Sequence, residues 1–128
     1  MKKQIGEIAI ISSGVYSQFG QFGSAIYLQA NYFNDYGQLK KNIKPNLVLN
    51  RKTEKHLLKE GDVLFAAKGR NNFAVSIKDK IGACVASSTF LVLRIKEEFK
   101  NSINPSFLVW FLNNPHSQSY LKSKAIGT

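Results

Sequence analysis

Phe73, Val75 and Ile77 alternate with Ala74 and Ser76, a period of two that predicts a half-buried strand over 73–77. Ahead of it, the turn Glu60-Gly61-Asp62 launches the apolar run Val63-Leu64-Phe65-Ala66-Ala67, which reads as a strand. The polar stretch Lys68-Gly69-Arg70-Asn71-Asn72 between the two predicts a hairpin loop. Cys84 to Ala86 and Thr89 to Ile95 continue the sheet across Ser87-Ser88. Upstream, Gln4 to Ile11 reads as an edge strand before Ser12-Ser13-Gly14, and the polar, aromatic stretch Tyr16 to Gly23 as a loop. Ala25 to Ala30 and Leu47 to Asn50 are short strand candidates, and Asn31 to Pro45 between them is a surface excursion. Thr53 to Leu58 has room for one helical turn with Thr53 as its N-cap.

The period changes in the last quarter. Asn104 before Pro105 is a cap followed by proline at the first helical position, predicting a helix over Ser106 to Asn113. Phe107 to Leu112 make that helix apolar nearly all round, so it should be buried. Asn114-Pro115 repeats the start signal and opens a second helix to about Lys124. With no internal repeat, low-complexity stretch or linker, 1–128 reads as a single α+β domain. Its expected architecture is a twisted, mostly antiparallel sheet with short C-terminal helices.

Composition narrows the function classes. Hydrophobic residues at 44% and aromatics at 12% favour a packed core over disorder. No stretch reaches the roughly 18 apolar residues that span a bilayer, and the run behind Met1-Lys2-Lys3-Gln4 is too short for a secretion signal. The lone Cys84 excludes an internal disulfide framework and fits a reducing cytoplasm. Within its apolar run it reads as a small packing residue rather than a nucleophile. The formal charge of +10 changes the picture most. Either the chain is simply a basic protein, or the charge is the footprint of a polyanionic partner. Its distribution favours the partner: Lys40, Lys41, Lys44, Arg51, Lys52, Lys55 and Lys59 crowd one stretch against Glu54 alone, and Lys122 and Lys124 lie near the end. No basic segment carries the wide apolar helical face of a membrane anchor, so nucleic acid is the better partner.

Several ordered strings then carry a resemblance. Gly61-Asp62-Val63-Leu64 is similar to the "GD-[IV]-L" strand of type I restriction–modification specificity subunits, and Lys68-Gly69-Arg70 follows it as a polar loop. Ala86-Ser87-Ser88 resembles the family's "ASS" strand pair. Ile103 to Pro115 resembles its "INP-x-[FY]-L-x-x-[FYW]-L-N-[SN]-P" helix, and Gly127-Thr128 falls at its "GT". Ile5-Gly6-Glu7-Ile8 and Ser13-Gly14 fit the opening strand and "SG" turn. The likeness spans nearly the whole chain and is to one target-recognition domain of the family. It implies a non-catalytic, cytoplasmic domain without a cofactor, which reads duplex DNA while methyltransferase and restriction subunits bind around it. In the family two such domains are joined by long helices; a chain ending at Thr128 is then a fragment or a short relative.

Candidate DNA contacts follow from donor chemistry. Arg70 suits the O6/N7 edge of guanine, Asn71 and Asn72 suit adenine, and Lys68 can hold an adjoining phosphate. Tyr16, Gln18 and Gln21 form a second reading element. Lys40, Lys41, Lys44, Lys122 and Lys124 fit phosphate clamps. Ser87, Ser88 and Thr89 either donate to phosphate or satisfy backbone groups at a sheet corner.

Enzyme readings have little support. Asn104-Pro105-Ser106-Phe107 departs from the Asn-Pro-Pro-Tyr/Phe motif of adenine methyltransferases at its third residue, and helix capping explains Asn104 more simply. His56 and His116 lack metal-ligand neighbours, no phosphate-loop frame is present, and Glu97 and Glu98 read as solubilising. The alternative is an RNA-binding or protein-interaction module. Tyr16, Phe19, Phe22, Tyr27, Tyr32, Phe33 and Tyr36 either stack on unpaired bases or belong to core and strands.

Overall fold

The computed structural model describes residues 5–34, 37–40, 42–67, 72–78 and 82–114. The fold class is α+β, with a mostly antiparallel sheet and short helices. Among the described residues six strands form two units: β1 (Ala9–Ser13), β3 (Val63–Ala66), β4 (Ala74–Ser76) and β6 (Phe90–Ile95) make an antiparallel sheet in the order β1-β6-β3-β4. β2 (Ile26–Leu28) and β5 (Cys84–Ala86) pair in parallel as a separate two-stranded unit. Cys84 to Ala86 therefore does not continue the main sheet as its sequence predicts. The chain changes layer across Ser87-Ser88, which lets β5 and β6 carry different faces of the core.

Alternation along the central strands fills two cores, one on each side of the sheet. Leu64, Ala66, Val75, Phe90 and Val92 face the β2–β5 pair and meet Ile26, Leu28, Cys84 and Ala86. Phe33, Phe73 and Phe90 close this layer with rings 5.5 to 6.3 Å apart in tilted and edge-on contact. Val63, Phe65, Ala74, Leu91 and Leu93 face the opposite way, onto α1 (Ile5–Ile8) and α3 (Pro105–Leu112). The strand over 73–77 is thus buried on both faces at Ala74, not half-buried, because a helix covers its second side. It is also an edge strand. The Asn113 side chain covers part of that edge: Ala74 N–H donates to Asn113 Oδ1 at 3.0 Å.

Three local expectations change. Ile5 to Ile8 form a helical turn before β1, leaving a strand that starts at Ala9. Leu47 makes only an isolated bridge to Ala25. The short helix α2 spans Arg51–Glu54, and its N-cap is Asn50 rather than Thr53. Asn50 Oδ1 accepts from Thr53 N–H and Thr53 Oγ1 accepts from Asn50 N–H, both at 2.9 Å, a reciprocal capping box. The predicted helix after Asn104 does form, with Asn104 Oδ1 accepting from Ser106 N–H. It is not buried all round. Leu108 and Leu112, one turn apart, meet the sheet, while Phe107 and Trp110 are 58% and 71% exposed. A single helix laid on a sheet buries one stripe, and the sequence of six apolar residues overfills that stripe. The helix predicted after Pro115 lies outside the described residues.

Asp62 fixes the far end of the sheet. It is 2% exposed, accepts Lys59 N–H at 2.9 Å, and binds Arg94 through both oxygens at 2.9 and 2.8 Å. Burial alone would disfavour such a charge, but the paired guanidinium and the turn amide satisfy it. Asp62→Ala strands these donors. Because Arg94 is partly open to water, the expected loss is about 2–3 kcal/mol, read as a lower urea midpoint with an unchanged slope. A midpoint equal to the parent's contradicts this role.

Candidate nucleic-acid interface

The chain leaves β1 through Gly14. Its N–H donates to Phe90 C=O at 2.9 Å, and Val15 N–H donates to Ala86 C=O at 3.0 Å. A Cβ at Gly14 would overlap the Ser87 and Ala86 carbonyl oxygens, so glycine is required for this close approach. From there Tyr16 to Gly23 runs over the outer face of the β2–β5 pair, and it is a tethered loop. Tyr27 Oη donates to Val15 C=O at 2.7 Å and accepts Ser17 N–H at 3.1 Å. Phe19 packs on the Tyr27 ring at 5.3 Å. Gly20 N–H donates to Asn46 C=O, and Ser24 N–H to Leu47 C=O. Burial raises the Tyr27 hydroxyl pKa, with the Ser17 N–H acting against the rise and Tyr16 adding to it, so the group stays a proton donor.

The basic stretch packs beside this loop. Asn46 anchors it: its Oδ1 accepts Tyr27 N–H at 2.8 Å and its Nδ2 donates to Tyr32 Oη at 2.9 Å. Lys52 Nζ reaches Tyr16 C=O at 3.3 Å, joining α2 to the start of the loop. Leu57 then bridges to Val85, so residues 47–57 cross the outer face of the β2–β5 pair. Tyr16, Gln18, Gln21 and Phe22 of the loop are exposed, as are Arg51, Lys52 and Lys55 of the segment that Lys52 joins to it. At its margin a cleft of about 120 Å³ is lined by Ser12, Ser13, Lys55, His56 and Arg94.

The other expected site residues divide three ways. Lys40 and Lys44 are exposed, whereas Lys59 belongs to the Asp62 end of the sheet, so the linear run of cations is not one patch. Ser87 is buried and its Oγ lies 2.7 Å from Thr89 Oγ1; its N–H donates to Leu28 C=O and its C=O accepts Phe90 N–H. These bonds are those of a sheet corner. Ser88 beside it is half-buried. Asn72 Nδ2 donates to Ala66 C=O at 2.7 Å, tying down the end of β3. Lys41, Lys68, Arg70, Asn71, Lys122 and Lys124 lie outside the described residues. Strand register nevertheless brings three connections to one end of the sheet. Ser13 pairs with Leu91 and Ala66 with Phe90, so the Tyr16 loop, the Ser87–Thr89 corner and the chain leaving β3 all emerge there.

Of the dense N-terminal aromatics, Tyr27 and Phe33 are buried and Tyr32 is half-buried, while Tyr16, Phe19 and Phe22 are exposed; Tyr36 lies outside the described residues. Arg51, Lys52 and Lys55 were legible only as charge; their place beside the loop depends on the Leu47–Ala25 and Leu57–Val85 bridges, which sequence periodicity does not encode.

Among the described residues no group of three His, Cys, Asp or Glu side chains could hold a metal ion, and no helix is long and apolar enough to cross a membrane. Cys84 is buried, and desolvation, with a smaller push from Asp62, raises its thiol from 9.0 to about 11. No protein-family model matches the sequence, and no curated protein matches it.

Two outcomes follow from these contacts. Tyr27→Phe should speed amide exchange at Ser17 and cost about 1–2 kcal/mol by orphaning Val15 C=O and Ser17 N–H; unchanged protection at Ser17 contradicts the tether. The raised thiol pKa stabilises the fold below pH 9.0, and that contribution fades as pH climbs towards 11. Near neutral pH a thiol reagent should therefore label the folded chain far more slowly than the urea-unfolded chain, and equal rates would contradict a buried Cys84.

Proposed function

We propose that the chain is a non-catalytic domain that recognises double-stranded DNA, resembling one target-recognition domain of a type I restriction–modification specificity subunit. One observation carries the reading. A tethered polar and aromatic loop, Tyr16 to Gly23, is joined at its start to Lys52, whose sequence neighbours Arg51 and Lys55 are exposed, on a chain of net charge +10. Phosphate contacts need cations, and base edges need paired donors and acceptors held in fixed register. Lys44, Arg51 and Lys55 are suited to phosphate, with Lys40 and Lys41 extending that role. Gln18 and Gln21 are suited to base edges. Arg70 and Asn71, outside the described residues, have the donor chemistry for base edges, with Lys68 as a phosphate contact. The Ser12–Ser13 cleft with Lys55 and His56 offers a further seat for a phosphate oxygen.

The resemblance also brings methyltransferase and restriction subunits of the same system as partners, in a cytoplasmic setting. Chemistry is assigned to those subunits; this chain takes no cofactor and neither methylates nor cuts. The RNA-binding alternative draws on the same exposed rings as the loop. The net charge and the polar side chains between those rings favour a duplex, where phosphate density is highest.

Duplex affinity measured by fluorescence anisotropy should fall steeply with salt, the logarithmic slope being about −0.9 per phosphate neutralised. Replacing Lys44, Arg51 and Lys55 together by alanine should flatten that slope by up to about 3 units. A salt-independent affinity, or an unchanged slope in the triple variant, would overturn the reading.

A further inference from the structure

Phe22 and Tyr16 are the most exposed aromatic rings of the tethered loop, 81% and 69% open respectively, although the loop is held from both sides. Phe19, in the same loop, shows what an aromatic ring does there when the fold needs it: it turns inward onto Tyr27. Tyr16 and Phe22 do not take that option. Gly23 presses on the Leu47 backbone so closely that a Cβ would overlap it, which fixes the residue next to Phe22. Lys52 Nζ on the Tyr16 carbonyl, and Tyr27 Oη on Ser17 N–H and Val15 C=O, fix the residues around Tyr16. A large apolar ring exposed on a mobile loop is unremarkable. Here the backbone beside both rings is pinned, and Lys52 reaches the backbone of Tyr16 itself.

We propose that Tyr16 and Phe22 are stacking residues, which hold bases exposed where the DNA duplex is unstacked or kinked. This rests on the duplex reading above and deepens it. A ring has no hydrogen-bonding code, so its natural partner is the face of a base rather than its edge. In an intact duplex those faces are covered by neighbouring base pairs, and opening a step has a free-energy cost. The pinned backbone lowers the opposing cost on the protein side, because the loop loses little freedom on binding. Lys52 at Tyr16 and the net charge of +10 screen the phosphates that crowd together at a kink. Neither ring contributes to the core, so removing one leaves the fold in place.

The test compares a mixed-sequence DNA duplex with the same duplex carrying a single-nucleotide bulge, where unstacking has already occurred. The parent chain should bind the bulged duplex roughly tenfold more tightly, the size of one stacking contact. Tyr16→Ala with Phe22→Ala should erase that preference, the bulged and intact duplexes then binding with equal affinity. Tyr16→Phe with Phe22→Trp should retain the preference, because stacking needs the ring and not the hydroxyl. Equal affinity of the parent for both duplexes overturns the stacking proposal while leaving duplex recognition standing, as does a preference that survives the double alanine variant. Absence of binding to either duplex overturns both.

Discussion

At Gly14 the chain steps from the edge of the four-stranded sheet onto the two-stranded pair, and the position of the candidate interface depends on that step. The amides of Gly14 and Val15 donate to carbonyls on either side of the Ser87–Thr89 corner, those of Phe90 and Ala86. Two layers that share no strand pairing are thereby joined at one point, with no space for a side chain between them. The corner in turn depends on Ser87, whose hydroxyl and backbone groups are all used within it. Everything downstream of Gly14 inherits this placement: Tyr16 beside Lys52, Phe19 on Tyr27, Gly20 on Asn46.

Tyr27 and Asn46 extend the constraint outward. Tyr27 Oη is matched to Val15 C=O and Ser17 N–H, while the Asn46 side chain is matched to Tyr27 N–H and Tyr32 Oη and its carbonyl accepts Gly20 N–H, so desolvation is offset and the loop adopts one course. The consequence is a division of labour across the loop surface. Inward-facing polar atoms hold the backbone, and outward-facing Gln18, Gln21, Arg51 and Lys55 remain open to a ligand. The opposite pole of the sheet is organised by the Asp62–Arg94 pair, in which the guanidinium is already matched by a carboxylate. The exposed cations Arg51, Lys52 and Lys55 follow the stretch that holds the loop, which is why the proposed DNA surface is placed there.

Much of the fold was legible because period and punctuation agree. The strands at Val63–Ala66 and Phe90–Ile95 and the cap at Asn104 follow directly from apolar runs and from a proline at the first helical position. The misreadings share a cause. Ile5 to Ile8 and Cys84 to Ala86 are short apolar runs whose type and partner are decided by tertiary packing. The overfilled α3 misleads because composition gives hydrophobicity but not the width of the surface available to receive it. At the site, the Tyr16–Gly23 loop was legible from its glycines and polar residues. Ser87 and Asn72 were legible only as donors, since nothing local reveals that their groups are consumed by the corner and by Ala66. The pairing of that loop with Arg51–Lys55 arises from contacts far apart in sequence.

Chemical-shift mapping with isotope-labelled chain and an unlabelled mixed-sequence duplex tests the central claim most directly. The account predicts that amide shifts on titration concentrate at Tyr16–Gly23, Asn46–Lys55 and Ser12–Gly14, with the Lys59–Asp62 turn and the Glu97–Asn101 segment unmoved. Shifts centred instead on Phe107, Trp110 and Phe111, or no shifts at saturating duplex, would contradict it.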